Sequence, residues 1–591
     1  MSQKELTIGT KVIFVGGNND VGIGANALII EHKDVNNKTY KILIDDGSKL
    51  TMEDQVYDGI CPDIREELDS IDAIFLTHTH TDHDGGLQTL EMLGHKLPPI
   101  YGSEYSLAAY NLKRAQAGLG DETKGSITKI QVGEPIKFGN GIEIEAFKTS
   151  HSALGSIGFH VLTKIGERDN VGLVFPGDFN LREMEAKSED GTPHGFDKKA
   201  YQDLISRKKT THVFMDSTST ETPDDYIFDK ETCVQSWVGV MKNMKDSHKE
   251  QLFTAIISGS GEHLIKLAEA VRQYNAKYDQ NRKLFVDSPN LKVSMKAAEI
   301  AGLDSYEDVI FSGNAKDFTQ KYPPKQRVIV LSGAFADGTQ KTSAEKAATG
   351  KSGAAKLSEQ EKNQKAETES LSGHPNFKIT PDDVWVQSQR DVGINSKGIK
   401  KINNKFAALG ATIYQVQTYP DASLGNYPMK PFQSSGHAGN KETKEFLGYH
   451  NKDTLVIPIH GDLSQLDATA NIAQDEGYKS QVFENADKIL VTSANALLLQ
   501  NNERDKTAYL AFRREPSINP SVRTTIIDEV NVYPDINNPK KENIVFLNKA
   551  GEHEIFIYKG QWLDKEKLTA AKENDSSKKL QTKPFKGNSG R

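Results

Sequence analysis

Cysteine is nearly absent from the chain. Cys61 and Cys233 are the only two in 591 residues, and they lie far apart. That excludes a disulfide scaffold and a cysteine-based zinc site, and leaves two reduced thiols. Long hydrophobic runs are also missing. None approaches the ~18 residues needed to span a bilayer, and the first five residues, Met1 to Glu5, contain no signal-peptide apolar core. The expected compartment is therefore cytoplasm, with no membrane partner. A surplus of basic charge is missing too: 73 Lys and Arg face 81 Asp and Glu, for a formal charge of −8. This argues weakly against holding nucleic acid by bulk positive charge and leaves a local patch open. No internal repeat is visible.

What remains is a polar globular chain, with mean hydropathy −0.56 and 36% hydrophobic residues. At roughly 100–200 residues per domain, its length predicts three or four domains. Over 1–220, short apolar runs such as Lys11–Val15, Ala27–Ile30, Lys41–Ile44 and Ile71–Leu76 alternate with turn residues. This density of strands predicts a sandwich with helices outside. From 221 to 433 the pattern changes. Apolar residues at Leu264, Ile265, Leu267, Ala268 and Val271 follow a helical period over Glu262–Tyr278. Strands at Leu252–Ile257, Lys283–Val286 and Arg327–Leu331 alternate with helices, as in an α/β unit with a parallel sheet. Within it, 338–373 is a low-complexity insertion with Leu357 and Leu371 as its only large apolar residues, too few to order it. Strand and helix patterning returns over 434–498. The stretch 499–591 forms a small extension with strand-like Asn543–Asn548 and His553–Lys559, ending in a basic tail.

Thr77-His78-Thr79-His80-Thr81-Asp82-His83-Asp84-Gly85-Gly86 follows directly on the strand ending at Leu76. Three imidazoles and one carboxylate within six residues form the donor set of zinc and related divalent ions. His78 and His80, two apart on an extended turn, can grip one ion. Asp82 and His83, where the chain turns into a helix, can face a second. Further ligands are expected where apolar strands end. His151 follows Ile142–Phe147, Asp178 follows Val171–Phe175, and His460 follows Thr454–Ile459.

With these motifs in view, the chain resembles the metallo-β-lactamase-fold hydrolases of the β-CASP nucleic-acid-processing group, and within it the ribonuclease J family. The resemblance spans roughly residues 6–498. It also draws on Gly16-Gly17, Leu43-Ile44-Asp45-Asp46-Gly47, Asp216-Ser217-Thr218 and Ser434-Ser435-Gly436-His437-Ala438. It implies an αββα sandwich carrying an inserted α/β β-CASP domain, with an α+β C-terminal extension. It implies that His78, His80 and His151 hold one ion, that Asp82, His83 and His460 hold the other, and that Asp178 bridges them. Zn²⁺ suits this set best, and Mn²⁺ nearly as well. His437 would be the general acid and Asp216 its orienting carboxylate, with Asp82 also counted in the catalytic group. The implied activity is hydrolysis of RNA, as an endonuclease and in the family's 5′-to-3′ exonuclease mode, leaving 5′-phosphate and 3′-hydroxyl ends. His460 points to RNA rather than DNA, because the DNA-repair branch usually has Val there. A small-molecule ester or lactone hydrolase is the alternative, disfavoured by the long insert. Ser258, Ser260, Ser435 and Gly436 are candidate phosphate contacts, through hydroxyls and backbone N–H groups. The resemblance also allows a homodimer.

Overall fold

The computed structural model describes residues 9–18, 24–50, 59–120, 126–138, 141–165, 169–187, 193–257, 259–303, 306–332, 377–389, 396–417, 427–485, 487–492 and 495–500, together with five strands beyond 506. The low-complexity insertion, the basic tail, Leu6–Ile8 and Ser258 lie outside them.

Two sheets face each other in the hydrolase body. One has eight strands, in the spatial order 496–500, 488–491, 9–16, 27–33, 39–44, 73–75, 100–102, 127–129. The other has seven, in the order 479–480, 455–459, 212–216, 169–175, 157–165, 142–148, 136–138. The alternation in Gly9–Gly16 turns Val12 and Phe14 into the space between the sheets. There they meet Phe159, Leu173, Phe175 and Phe214, with the Phe175 and Phe214 rings stacked at 4.3 Å. Helices Thr81–Met92 and Glu104–Gln116 cover the outer face of the first sheet through Leu87, Leu90, Leu107 and Tyr110. Helices Lys198–Arg207, Asn440–Leu447 and Leu463–Asp475 cover the second through Tyr201, Phe446 and Ala473. The result is a four-layer αββα sandwich. Residues 488–500 return to pair with the first strand, Thr10 opposite Val491, so the sheet continues two residues past the expected limit at 498.

The inserted segment is built on a wholly parallel sheet, ordered 310–311, 283–287, 327–332, 252–256, 384–387, 412–416, 429–430. Both its faces are covered, which is why its strands read as near-continuous apolar runs. Val234, Trp237, Leu264 and Val271 pack on one face, and Phe318, Trp385 and Phe406 contribute to the cluster on the other. The helix expected over 262–278 runs Gly261–Tyr278. Tyr105 and Leu154 of the hydrolase body are buried in the core of the insert, so the two parts share apolar surface.

The described residues past 506 form five antiparallel strands and no helix, where an α+β extension is expected. Strand Thr507–Glu515 pairs with Gly59–Pro62, Leu510 opposite Cys61, and Gly59–Ile60 pairs in turn with Lys49–Leu50. The extension is therefore the continuation of a sheet that begins in the hydrolase body. Cys61 and Cys233 are both buried and free. Among the described residues, no helix is long and apolar enough to cross a membrane.

Candidate metal centre

Every candidate ligand sits where a strand releases the chain. The strand Ala73–Phe75 ends just before Thr77, and the backbone then turns through His78 and His80 into the helix that starts at Thr81. Ile142–Lys148 delivers His151, Asp169–Phe175 delivers Asp178, His212–Asp216 ends on Asp216, and Leu455–Ile459 delivers His460. All of these ends converge on one edge of the sandwich. His460 holds a left-handed backbone (φ 57°), conformationally costly for a non-glycine residue and concentrated at functional sites. The Asn18 side chain secures it by accepting a hydrogen bond from the His460 N–H at 3.0 Å.

Three donor groups share Asp178. His78, His80, His151 and Asp178 form one, with ligating atoms all within 4.8 Å of each other. Asp82, His83, Asp178 and His460 form the second, and Asp178, Asp216, His437 and His460 the third. His83 Nε2 lies 3.2 Å from one Asp178 oxygen, and His460 Nε2 lies 3.2 Å from the other. In the first group His80 Nδ1 stands 3.1 Å from His78 Nε2 and 3.0 Å from His151 Nε2.

The electrostatics fit a cation. Burial holds His78 and His151 well below the ordinary imidazole range and brings His80 down to about 4, so these three rings are neutral with lone pairs available. Burial also opposes charge on His83 and His460, but Asp178 together with Asp45 at His83, and with Asp216 and Asp82 at His460, raises both. Asp178 itself is held well below the carboxylate range: burial pushes it up, and His460, His83 and His437 pull it down further. The three neutral imidazoles of His78, His80 and His151 beside an ionised carboxylate match the donor chemistry of divalent metal binding.

A second layer aims the ligands. Asp45, at φ 55°, accepts from His83 Nδ1 at 2.8 Å and from the Thr77 N–H and hydroxyl at 2.8 and 2.7 Å. This leaves His83 Nε2 facing Asp178. His151 Nδ1 donates to the Gly436 carbonyl at 2.9 Å, leaving its Nε2 toward His80. Lys113 reaches from the neighbouring helix to both oxygens of Asp84 and to the Thr79 carbonyl. Asn18 and Lys113, like Asn180 and Arg182, which hold the loop 434–437, carry no signal of these roles in the sequence. Each is a common polar residue recognisable only by what it touches.

His437 stands beside the ligands on the loop 434–437. Its Nδ1 lies 2.7 Å from Asp216 and its Nε2 3.9 Å from Asp178. Burial works against its charge, yet the carboxylates of Asp216 and Asp178 lift it to about 9.

The four phosphate candidates fare differently. Ser258 lies outside the described residues. The Ser260 N–H is spent on the Ile257 carbonyl within the turn that starts the helix. The Ser435 hydroxyl meets that of Ser219 at 2.8 Å and accepts from the His437 N–H at 3.2 Å. The Gly436 carbonyl accepts from His151 and from Asn180, and a Cβ at this position would stand 2.6 Å from His151 Cε1. In these contacts Ser435 and Gly436 order the site from within. The insert does reach the centre: a Cβ on Gly259, whose φ is 92°, would come 2.9 Å from His80 Cδ2.

Comparison with known proteins agrees with this geometry. Residues 40–187 match a family described as a beta-lactamase superfamily domain, and residues 428–483 match one described as a Zn-dependent metallo-hydrolase RNA specificity domain. Among curated relatives, Ribonuclease J of Mycoplasma genitalium is 23% identical over 503 residues, 84% of this chain and 74% of that protein. Ribonuclease J 1 of Streptococcus pyogenes is 23% identical over 494 residues, 82% of this chain and 75% of its own. Ribonuclease J2 of Bacillus subtilis is 23% identical over 487 residues, covering 81% and 74% respectively.

Proposed function

We propose, from the premise that the chain is a ribonuclease J-like β-CASP metallo-hydrolase, that it hydrolyses RNA phosphodiester bonds at the centre described above. The observation that carries the reading is the Asp216–His437 pair set against Asp178. A proton donor beside the metal ligands suits expulsion of a poor leaving group such as a ribose 3′ oxygen.

His78, His80 and His151 would hold one divalent ion, and Asp82, His83 and His460 another, with Asp178 shared. Zn²⁺ fits this nitrogen-rich set best, and Mn²⁺ nearly as well. When bound, the ions supply a hydroxide at neutral pH and offset the charge developing on the phosphoryl oxygens. The protein's own residues do the rest. Asp216 accepts from Nδ1 of His437, which keeps the ring charged and turns its Nε2–H toward the scissile bond. His437 passes that proton to the departing 3′ oxygen, leaving 5′-phosphate and 3′-hydroxyl ends. A positioned acid of this kind contributes about 10²–10⁴-fold. His460, His83 and His437 keep Asp178 ionised against the effect of burial, and the bond to Asp216 holds the ring of His437 in place. Cleavage is endonucleolytic, with 5′-to-3′ trimming as a further mode whose share is read from the mapping of product 5′ ends. A cytoplasmic location and a homodimer complete the reading.

The test sets single-stranded RNA against DNA of the same sequence and against a lactone, before and after treatment with a chelator. Cleavage of RNA alone, lost with the chelator and lost in Asp178→Ala, is the expected result. Equal cleavage of DNA, or turnover of the lactone alone, would overturn the assignment. Mapping product 5′ ends from RNA carrying 5′-triphosphate, monophosphate or hydroxyl separates the two modes.

A further inference from the structure

Arg182 lies four residues beyond Asp178, on the segment that leaves the metal centre, and its guanidinium is turned back toward the loop that presents His437. One terminal nitrogen donates to the Ser434 hydroxyl. The other donates to the Ser435 carbonyl at 2.7 Å and to the His437 carbonyl at 3.2 Å. Its Nε stands 3.1 Å from Glu442 Oε1. Glu442 is itself fixed, accepting from the N–H groups of Leu181 at 3.1 Å and Gly439 at 3.2 Å. Two residues earlier, Asn180 donates to the Gly436 carbonyl at 2.8 Å.

Side chains from 180–182 therefore grip the backbone or side chains of residues 434–437. A planar, permanently charged fork with rigidly placed donors suits this task, and a lysine point charge could not make the same set of contacts. Both terminal nitrogens donate within the protein and Nε faces Glu442, so the guanidinium acts on the loop and not on substrate. None of its own contacts reaches His78, His80, Asp82, His83, His151 or His460, and the Gly436 carbonyl that accepts from His151 is held separately by Asn180.

We infer that Arg182 is a positioning residue for the general acid, locking the 434–437 loop to the Asp178 segment so that His437 Nε2 meets the leaving oxygen. The inference rests on the proposed role of His437. Its signature is dependence on the leaving group. A ribose 3′ oxygen needs a proton as it departs, whereas 4-nitrophenolate does not. Arg182→Ala and Arg182→Lys should each slow RNA cleavage through kcat, by about 10–100-fold, within the range of a misplaced acid. KM should stay nearly constant, and bound metal per chain should be unchanged. On bis-p-nitrophenyl phosphate the same variants should lose less than about threefold, because no acid is required there.

His437→Ala, measured in parallel, tells the two readings apart. If it loses activity on RNA and keeps it on the nitrophenyl ester, the acid role stands and the Arg182 variants can be judged against it. If Arg182→Ala then slows both substrates alike, or neither, the positioning role is overturned. If His437→Ala slows both substrates alike, the acid assignment itself falls, and the Arg182 inference falls with it. Circular dichroism and metal content of each variant show whether a uniform loss comes from unfolding.

Discussion

Asp45 shows how much of the centre depends on residues that touch no ion. Its carboxylate binds His83 Nδ1 and two groups of Thr77, so the ring of His83 is fixed in tautomer and orientation. Asp45→Asn keeps the shape but offers only one acceptor oxygen where three donors converge. Second-layer losses of this kind typically cost about 10–100-fold in metal affinity. Competition with a chromophoric chelator measures it directly, and an unchanged affinity would remove Asp45 from the site's design. The ligands themselves are legible in the sequence for a simple reason. His78, His80, Asp82 and His83 lie within one turn and a helix start, so their spacing already encodes their convergence. His151, Asp178 and His460 are legible through the apolar strands that end just before them. Arg182 and Asn180 are not, because a polar residue after a strand has the same local pattern whether it clamps a loop or faces water.

The same distinction operates one level up, among loops and strands. The loop 434–437 enters so close to His151 that no side chain fits at 436: a Cβ there would lie 2.6 Å from His151 Cε1 and 2.8 Å from its Nδ1. Gly436→Ala must therefore displace either the ring or the loop, and the Gly436 carbonyl that receives the His151 proton moves with it. The expected outcome is loss of metal from the group formed by His78, His80 and His151. Bound metal per chain after dialysis should fall, while the purified variant keeps the far-ultraviolet dichroism of the parent. Full metal content in this variant would show that the loop can yield. Strand identity was readable from alternation: the expected strands at 543–548 and 553–559 appear as Glu542–Leu547 and Glu554–Tyr558. Their destination was not. The pairing of Tyr509–Phe512 with Gly59–Pro62 joins segments some hundreds of residues apart, and alternation carries no record of the partner strand.

For the molecule as a whole, a formal charge of −8 leaves RNA to be held at the metal centre, where divalent ions, once bound, would add their charge to that of the His437 imidazolium. Binding without metal should be weak and salt-sensitive. The charge balance also hides an acid weakness distributed through both parts of the chain. Among the described residues, five histidines outside the metal centre are buried: His32, His160, His212 and His450 in the hydrolase body and His263 in the insert. Burial, the largest cause in each case, lowers His160 and His212 to about 4 and His263 and His450 to about 3. These rings are neutral in the native state, while in the unfolded chain they titrate near the ordinary value of about 6.5. The unfolded state thus takes up protons first as the medium is acidified. Stability is complete above about pH 6.5 and declines from there toward pH 4, by up to ~1.4 kcal/mol per pH unit for each such ring. His450 offers the clearest test, because its Nε2 faces the Tyr201 hydroxyl at 2.9 Å, and the oxygen of a glutamine can accept the same bond. His450→Gln should flatten the fall in urea-unfolding free energy between pH 6.5 and 5 by about one ring's share. If the parent shows no decline over that interval, or the variant declines as steeply as the parent, the buried neutral histidines are not what makes the fold sensitive to acid.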